Sequence, residues 1–345
     1  MNNHIEAVLA AWYPKRESQR WVLGVVTHTE GSSYRKPGAM MLISELGQCL
    51  GLLSGGCLER ALLNEAKRVL AFGRPRDITF DATETADDAW QYGLGCGGRV
   101  QIRLLPLNAA NQWLQLATLY QQLASGRAAW LTLPLAPEPD AQAQLHTEPP
   151  LDGAREAFVQ GLHLWVPVAP QVRLVVFGAG VDVVPVVQLA AGLGWQITLV
   201  DHRQGLARPE DFPSARWLQA QAHDAEVKAC VAEADAALVM THNLTLDAGA
   251  LTALYDSTVR YIGLLGPAHR KARLLAEFNL EPRRLPVAID GPMGEPLGGD
   301  LPEAVALSAL AACHKALYGQ SQVAANRATH TAAQGAALSQ LGRVQ

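Results

Sequence analysis

The sequence predicts an α/β protein in two parts: an N-terminal α+β domain followed by a C-terminal Rossmann-like domain built on a parallel sheet. Three observations carry this. From Val172 onward, continuous apolar runs alternate with segments of helical spacing, as expected of parallel strands covered on both faces. A strand, a glycine turn and a helix meet at Phe177-Gly178-Ala179-Gly180. The 345 residues also exceed the usual size of one hydrophobic core, so each part can bury its own.

In the first part, Ile5 to Tyr13 reads as a short helix and the β-branched run Trp21 to Thr27 as a buried strand. Gly31 to Gly38 holds glycines, hydroxyls and two cations, and is expected to be a loop able to hold an anion. Strands follow at Ala39 to Ser44 and Cys49 to Leu53, joined by a turn at Glu45 to Gln48. Leu58, Ala61, Leu62, Ala66, Val69 and Leu70 recur at helical spacing, and Gly73 with Pro75 ends that helix at Phe72. Strands at Asp77 to Asp81 and Arg99 to Leu105, a helix over Asn111 to Ala124 and a strand at Ala128 to Leu133 complete the domain. Pro134 to Pro150, rich in Pro, Ala, Glu and Gln without periodicity, reads as a surface excursion or linker. The expected domains are therefore 1–150 and 151–320, with a tail at 321–345.

The second part reads strand Val172 to Phe177, helix Val183 to Leu193, strands Gln196 to Asp201 and Ala236 to Thr241, helix Leu246 to Tyr255, strand Val259 to Leu265 and helix Ala268 to Glu277. A last helix spans Pro302 to Tyr318.

Charge and composition exclude several classes. The 28 basic and 32 acidic residues give a net charge of −4 with no long run of one sign, so neither nucleic acid nor an anionic membrane is an expected partner. No apolar run reaches the ~20 residues a membrane helix needs, and the first residues lack the basic start of a secretory signal. Five cysteines without regular spacing make a poor disulfide framework, which suits free thiols in the cytoplasm.

Two of those cysteines stand apart. Cys57, in Gly55-Gly56-Cys57-Leu58-Glu59, is expected at a helix N-terminus, which stabilises a thiolate, although Glu59 opposes this. Cys96, in Gly95-Cys96-Gly97-Gly98, rests on its glycines, which let a ligand approach closely. Cys49, Cys230 and Cys313 read as small buried hydrophobes. No CxxC or close Cys/His pair accompanies Cys57 or Cys96, so a zinc site would need ligands gathered from afar.

At the glycine turn, Gly178 supplies the bend and Gly180 a close approach to phosphate, and Asp201 falls ~20 residues on, where a ribose-binding acid is expected. Val183 replaces the third glycine of that fingerprint, and Asp182 places a negative charge near the phosphate position. Thr241, His242 and Asn243 follow one apolar strand, and Gly263 and Gly266 lie at the end of the next, all at the sheet edge where such folds bind ligands. Asp247 reads as a residue that stabilises a helix start. Arg35 and Lys36 could pair with phosphate, yet two exposed cations in a loop are more often just solvated.

Taken together these motifs resemble the XdhC family, the molybdenum-cofactor chaperones of xanthine dehydrogenase and related molybdenum hydroxylases. The similarity runs through Gly31-Ser32-Ser33-Tyr34-Arg35, Gly38 to Met41, Gly55 to Glu59, Gly95 to Gly98, Phe177 to Gly180, Val200-Asp201-His202-Arg203, Thr241 to Asn243 and Tyr261 to Gly266. It departs at Tyr34, where the family often has proline, at Val181, where it often has histidine, and at the loosely matched stretch Gly294 to Glu303.

The resemblance implies binding of molybdopterin or its dinucleotide form and protection of the cofactor during sulfuration. It also implies delivery to a molybdenum hydroxylase of the xanthine or aldehyde dehydrogenase type, without turnover by the chaperone itself. Implied partners are the hydroxylase subunit that takes the cofactor, a cysteine desulfurase and further copies of the chain. The implied ligand-facing residues are Ser32, Ser33, Arg35, Gly55, Gly56, Cys57, Gly95, Cys96, Gly97, Gly178, Gly180, Asp201, Thr241, His242, Asn243, Gly263 and Gly266. The metal end of the cofactor is expected near Cys57 or Cys96.

Two other readings stay open on residues alone. Gly178, Gly180 and Asp201 would suit NAD(P) in an oxidoreductase, although no evident proton-transfer set accompanies them. Cys57 and Cys96 could also form a thiol redox switch.

Overall fold

In the computed structural model, residues 3–56, 58–81, 98–136, 142–151, 153–203 and 208–319 are described. Cys57, Gly95, Cys96, Gly97 and the expected tail at 321–345 lie outside the described residues. The chain divides into two compact units, Met1–Gln171 and Val172–Gln345.

In the first unit, helix α1 (Ile5–Trp12) turns Val8, Leu9 and Trp12 inward. Strands β1 (Trp21–Glu30), β2 (Met40–Ser44) and β3 (Cys49–Gly51) follow, then α2 (Glu59–Phe72), β4 (Arg76–Asp81) and β5 (Arg99–Leu107). These five strands form one sheet in the order β3-β2-β1-β5-β4. Alternation along β1 serves two cores. Trp21, Leu23 and Val25 pack with α1, while Val22 and Val26 face Leu62, Ala66 and Val69 of α2. Gly73 takes a left-handed φ of +66° and closes α2, as its sequence position predicts.

The expected helix over Asn111 to Ala124 is shorter. Helix α3 begins only at Leu116 and ends at Ala124, and Gln112, Trp113, Leu114 and Gln115 all have positive φ. The side chains of Asn108 and Asn111 accept from each other's backbone N–H, and the Asn111 amide donates to Pro106 O at 2.7 Å. Such local bonds compete with the helical ladder.

Pro134 to Pro150 is not all excursion. Strand β6 (Ala129–Pro134) pairs with β7 (Gln144–His146) on one side and with β9 (His163–Val168) on the other, and β8 (Phe158–Gln160) pairs with β9. The result is a four-stranded sheet ordered β7-β6-β9-β8. Residues of 151–171 therefore pair into the first unit, and the division falls after Gln171 rather than near 150. Leu131, Leu133, Leu164 and Val166 on one face of this sheet join the α1 core.

The second unit is a parallel sheet of β10 (Arg173–Phe177), β11 (Gln196–Val200), β12 (Ala215–Leu218), β13 (Ala236–Val239), β14 (Tyr261–Leu264) and β15 (Ile289–Asp290). Every neighbouring pair in it is parallel. Its order is β12-β11-β10-β13-β14-β15, which counted from β10 is the 3-2-1-4-5-6 of a doubly wound dinucleotide-binding fold. Helix α4 (Val184–Gly192) and the last helix α8 (residues 302–319) cover one face through Val186, Val187, Ala190, Ala306 and Leu310. Helices α5 (Ala225–Ala232), α6 (Leu244–Ala253) and α7 (Ala268–Glu277) cover the other through Val227, Leu251 and Leu274. Strands β12 and β15 and helix α5 were not expected as separate elements. Among the described residues no helix is long and apolar enough to cross a membrane.

Candidate functional site

All six strands of the second unit run the same way, so their C-terminal ends share one edge. The strand order reverses between β10 and β13, and a crevice outside that point is where folds of this topology take ligands. The loops that flank it are Gly178–Gly180 after β10 and Thr241–Asn243 after β13.

Gly178 has φ +113°, and a Cβ there would stand 2.5 Å from the Met240 carbonyl oxygen. Its N–H extends the ladder to Val200 O at 3.0 Å. Only glycine fits, because both the conformation and the neighbouring backbone forbid a side chain. Gly180 differs, since its φ is −72° and its ψ 166°, and a Cβ would meet only the Asp182 side chain. Val183, at the third glycine position of the fingerprint, is fully buried in the core that α4 shares with the sheet.

Asp201 sits at the end of β11 with its side chain 2% exposed. Oδ1 accepts from the N–H and Nε of Arg203 at 3.0 and 2.9 Å. Oδ2 accepts from Ala179 N at 3.0 Å and Arg203 Nη2 at 2.6 Å. Two bonds per oxygen fill the acceptor sites of a carboxylate, so a ribose hydroxyl would have to displace one of them. The sequence reading gave Asp201 to a ribose; in the structure it fastens the glycine turn and Arg203 instead. Burial alone would raise this carboxyl. Hydrogen bonds from the Arg203 side chain and backbone, the charge of Arg203 and the Ala179 amide outweigh burial and hold the pKa below the ordinary aspartate value. Arg203 Nη1 also donates to Thr241 O at 3.0 Å, tying the end of β11 to the loop after β13 across the turn.

Thr241 and Asn243 are occupied as well. Thr241 Oγ1 donates to Asp247 Oδ1 at 2.5 Å and accepts from Asn243 N, and Asn243 Oδ1 caps α6 by accepting from Leu246 N at 3.1 Å. Asp247, 2% exposed, accepts from Arg270 Nε and Nη2 at 3.1 and 2.6 Å. It therefore does more than favour a helix start, since it joins α6 to α7. His242 lies between two anchored neighbours at φ +59° with its side chain 60% exposed. Its Nε2 meets Asp182 Oδ2 at 2.8 Å.

Gly263 in β14 and Gly266 just after it serve packing and turning. A Cβ on Gly263 would come within 2.8 Å of Leu238 Cδ2 and 3.1 Å of Met293 Sδ, which identifies a tight core contact. Gly266 takes φ +115° beside the Arg270 side chain. Tyr261 and Asp290, which the sequence reading did not single out, form a further polar pair: Tyr261 O–H donates to Asp290 Oδ2 at 2.6 Å, and burial pushes the tyrosine pKa up.

In the first unit, the described flanks of both glycine-rich cysteine segments meet one loop. A Cβ on Gly55 would lie 3.9 Å from the ring of Tyr34, and one on Gly98 would collide with the carbonyl oxygens of Glu30 and Ser32. The cause is topological, because β1 and β5 pair with Glu30 opposite Arg99, so Gly98 lies beside the chain after Glu30. Ser54 Oγ, in a residue 3% exposed, accepts from the N–H groups of Gly56 and Leu58 at 3.1 Å and donates to the Glu59 carboxylate. That hydroxyl pins the backbone on both sides of position 57. Ser33 Oγ is buried without a hydrogen-bond partner among the described residues. Arg35 is half-buried and Lys36 exposed, and neither makes an ion pair among the described residues.

Of the cysteines expected to be buried fillers, Cys313 is buried, whereas Cys49 and Cys230 are half-buried. Burial pushes Cys313 up to about 12 and also raises Cys49 and Cys230. Among the described residues no group of three or more His, Cys, Asp or Glu is placed to hold a metal ion.

Comparison with known proteins matches residues 174–313 to the XdhC Rossmann domain and residues 15–81 to the XdhC and CoxI family. The chain is 28% identical over 319 residues to a probable xanthine dehydrogenase subunit from Bacillus subtilis, covering 86% of this chain and 92% of that protein. It is 26% identical over 249 residues to the molybdenum cofactor insertion chaperone PaoD of Escherichia coli, covering 71% of this chain and 66% of PaoD. A crystal structure of a xanthine dehydrogenase from Bacillus halodurans superposes with a TM-score of 0.75 at 29% identity, covering 92% of this chain and 96% of that one.

Proposed function

Since the chain belongs to the XdhC family, we propose that it is a molybdenum-cofactor chaperone, which holds the cofactor as cargo and delivers it to a molybdenum hydroxylase. The observation that carries this reading is the sheet edge at the strand-order reversal, flanked by a glycine turn on one loop and an exposed His242 between anchored neighbours on the other. A pterin cofactor bears a phosphate, and a turn followed by a helix N-terminus offers it N–H donors. We assign the phosphate to Gly178–Gly180 with His242 in the second unit; in the first unit, the thiols of Cys57 and Cys96 with Ser32, Ser33, Arg35, Gly55, Gly56, Gly95 and Gly97 are a separate candidate contact for molybdenum. Gly263, Thr241 and Asn243 keep the edge in shape.

The alternative, an NAD(P)-dependent oxidoreductase, is less well supported, because the four bonds at Asp201 leave no acceptor for a ribose. Xanthine or aldehyde oxidation as the served activity, a cysteine desulfurase as sulfur source and self-association are further parts of the proposal. The direct test is to purify the protein from cells that make molybdenum cofactor and assay bound pterin and molybdenum. Protein free of both, or protein that turns over NAD(P)H with a small substrate, would overturn the reading.

Two variants locate the cargo. Cys57→Ser and Cys96→Ser are each expected to retain less molybdenum with an unchanged melting temperature, and full retention in both would remove the thiols from the site. Gly180→Val puts a branched side chain beside the phosphate position on backbone that tolerates it, so at least a tenfold loss of pterin affinity, ~1.4 kcal/mol, is expected. Equal affinity would place the phosphate elsewhere.

A further inference from the structure

A carboxylate of the chain itself already stands at the phosphate seat. Asp182 Oδ1 lies 2.5 Å from the point a Gly180 Cβ would occupy, while its Oδ2 accepts from His242 Nε2 at 2.8 Å. The two residues come from the loops after β10 and β13, so the pair spans the crevice at the strand-order reversal. Neither side chain serves the core, being 25% and 60% exposed. His242 nevertheless keeps a left-handed backbone, φ +59°, between two residues that are themselves anchored. Anion-binding turns of this fold leave the helix N-terminus clear for phosphate, and an acid placed there repels one.

We propose that Asp182, clamped by His242, is the resident anion of this crevice and sets its ligand preference. A phosphate reaches the amides of the turn only by displacing the carboxylate and taking over the hydrogen bond from His242. Ligands that bring a phosphate without other strong contacts are thereby turned away, while a cargo anchored at several points can supply the displacement. The proposal rests on the reading of Gly178–Gly180 as a phosphate seat.

The prediction is a gain of binding, which structural damage does not produce. In calorimetric titration of the full chain with inorganic pyrophosphate, Asp182→Asn is expected to bind about tenfold more tightly than the wild type, ~1.4 kcal/mol. His242→Gln in that background should lose most of the gain. Glu233→Gln removes an exposed charge beside Arg173, at the opposite edge of the sheet, and should leave pyrophosphate binding unchanged.

An Asp182→Asn protein that binds pyrophosphate no better than wild type, or an equal gain in Glu233→Gln, would overturn the proposal. Pterin assayed on the wild-type protein separates the two ideas. The tenfold gain without pterin keeps the Asp182 role and removes the cofactor reading, whereas pterin without the gain does the reverse.

Discussion

Gly178→Ala is expected to destabilise the second unit by about 3 kcal/mol, from a left-handed backbone imposed on an alanine and a Cβ driven into the Met240 carbonyl. The obstacle is backbone of β13's exit, which cannot swing aside as a side chain can. Gly180→Val, two residues along, is expected to melt close to wild type, because its φ and ψ of −72° and 166° are ordinary extended values and its Cβ would meet only the Asp182 carboxylate, a partly exposed side chain that can swing aside. Urea unfolding of the two variants separates a glycine that the fold requires from one that only the ligand would require. A Gly178→Ala protein as stable as wild type would show that the turn can relax, contrary to this account.

The second large effect concerns Asp201. Removing its carboxylate in Asp201→Ala leaves the Ala179 N–H and the Arg203 fork without their acceptor. Breaking such a pair costs about 3–5 kcal/mol when fully buried; with Arg203 28% exposed, about 3 kcal/mol is expected. The same contact predicts a pH dependence. The folded-state pKa of Asp201 is lowered from 3.8, so the unfolded chain takes up a proton first as acid is added. Its contribution is present above the ordinary value and is lost as pH falls through the folded-state value. The stability gap between wild type and Asp201→Ala should therefore be constant near neutrality and narrow below pH 3.8. A gap that widens on acidification would reverse the assigned direction.

Much of the scaffold was legible because it depends on local pattern. The periodic apolar residues of α2, the glycine that closes it and the β-branched strands β10 and β11 each announce their state within a few residues. Short elements do not. Strands β7 and β8 have three residues each, too few for alternation to register, and exist because β6 and β9 offer them partners. The left-handed run Gln112 to Gln115 follows from side-chain bonds between Asn108 and Asn111, which a count of apolar spacing cannot see.

At the site, glycine positions and the edge location of His242 were readable, whereas the employment of Asp201 was not. Fingerprint spacing put an acid where a ribose should bind; Arg203, two residues on, consumes it. Asp182 stood out as a misplaced charge, but only the fold reveals that His242, 60 residues away, holds it.

The insertion of β9 between β6 and β8 also governs how the chain can be divided. All six residues of β6, Ala129 to Pro134, are buried, and β9 pairs along its full length. A fragment ending at residue 150 would keep that strand but strip its neighbour, leaving an apolar edge with unpaired N–H and C=O groups. Such edges recruit other copies, so the fragment should aggregate. One ending at Gln171 retains all four strands, with β6 paired on both sides, and should stay dispersed at the same concentration.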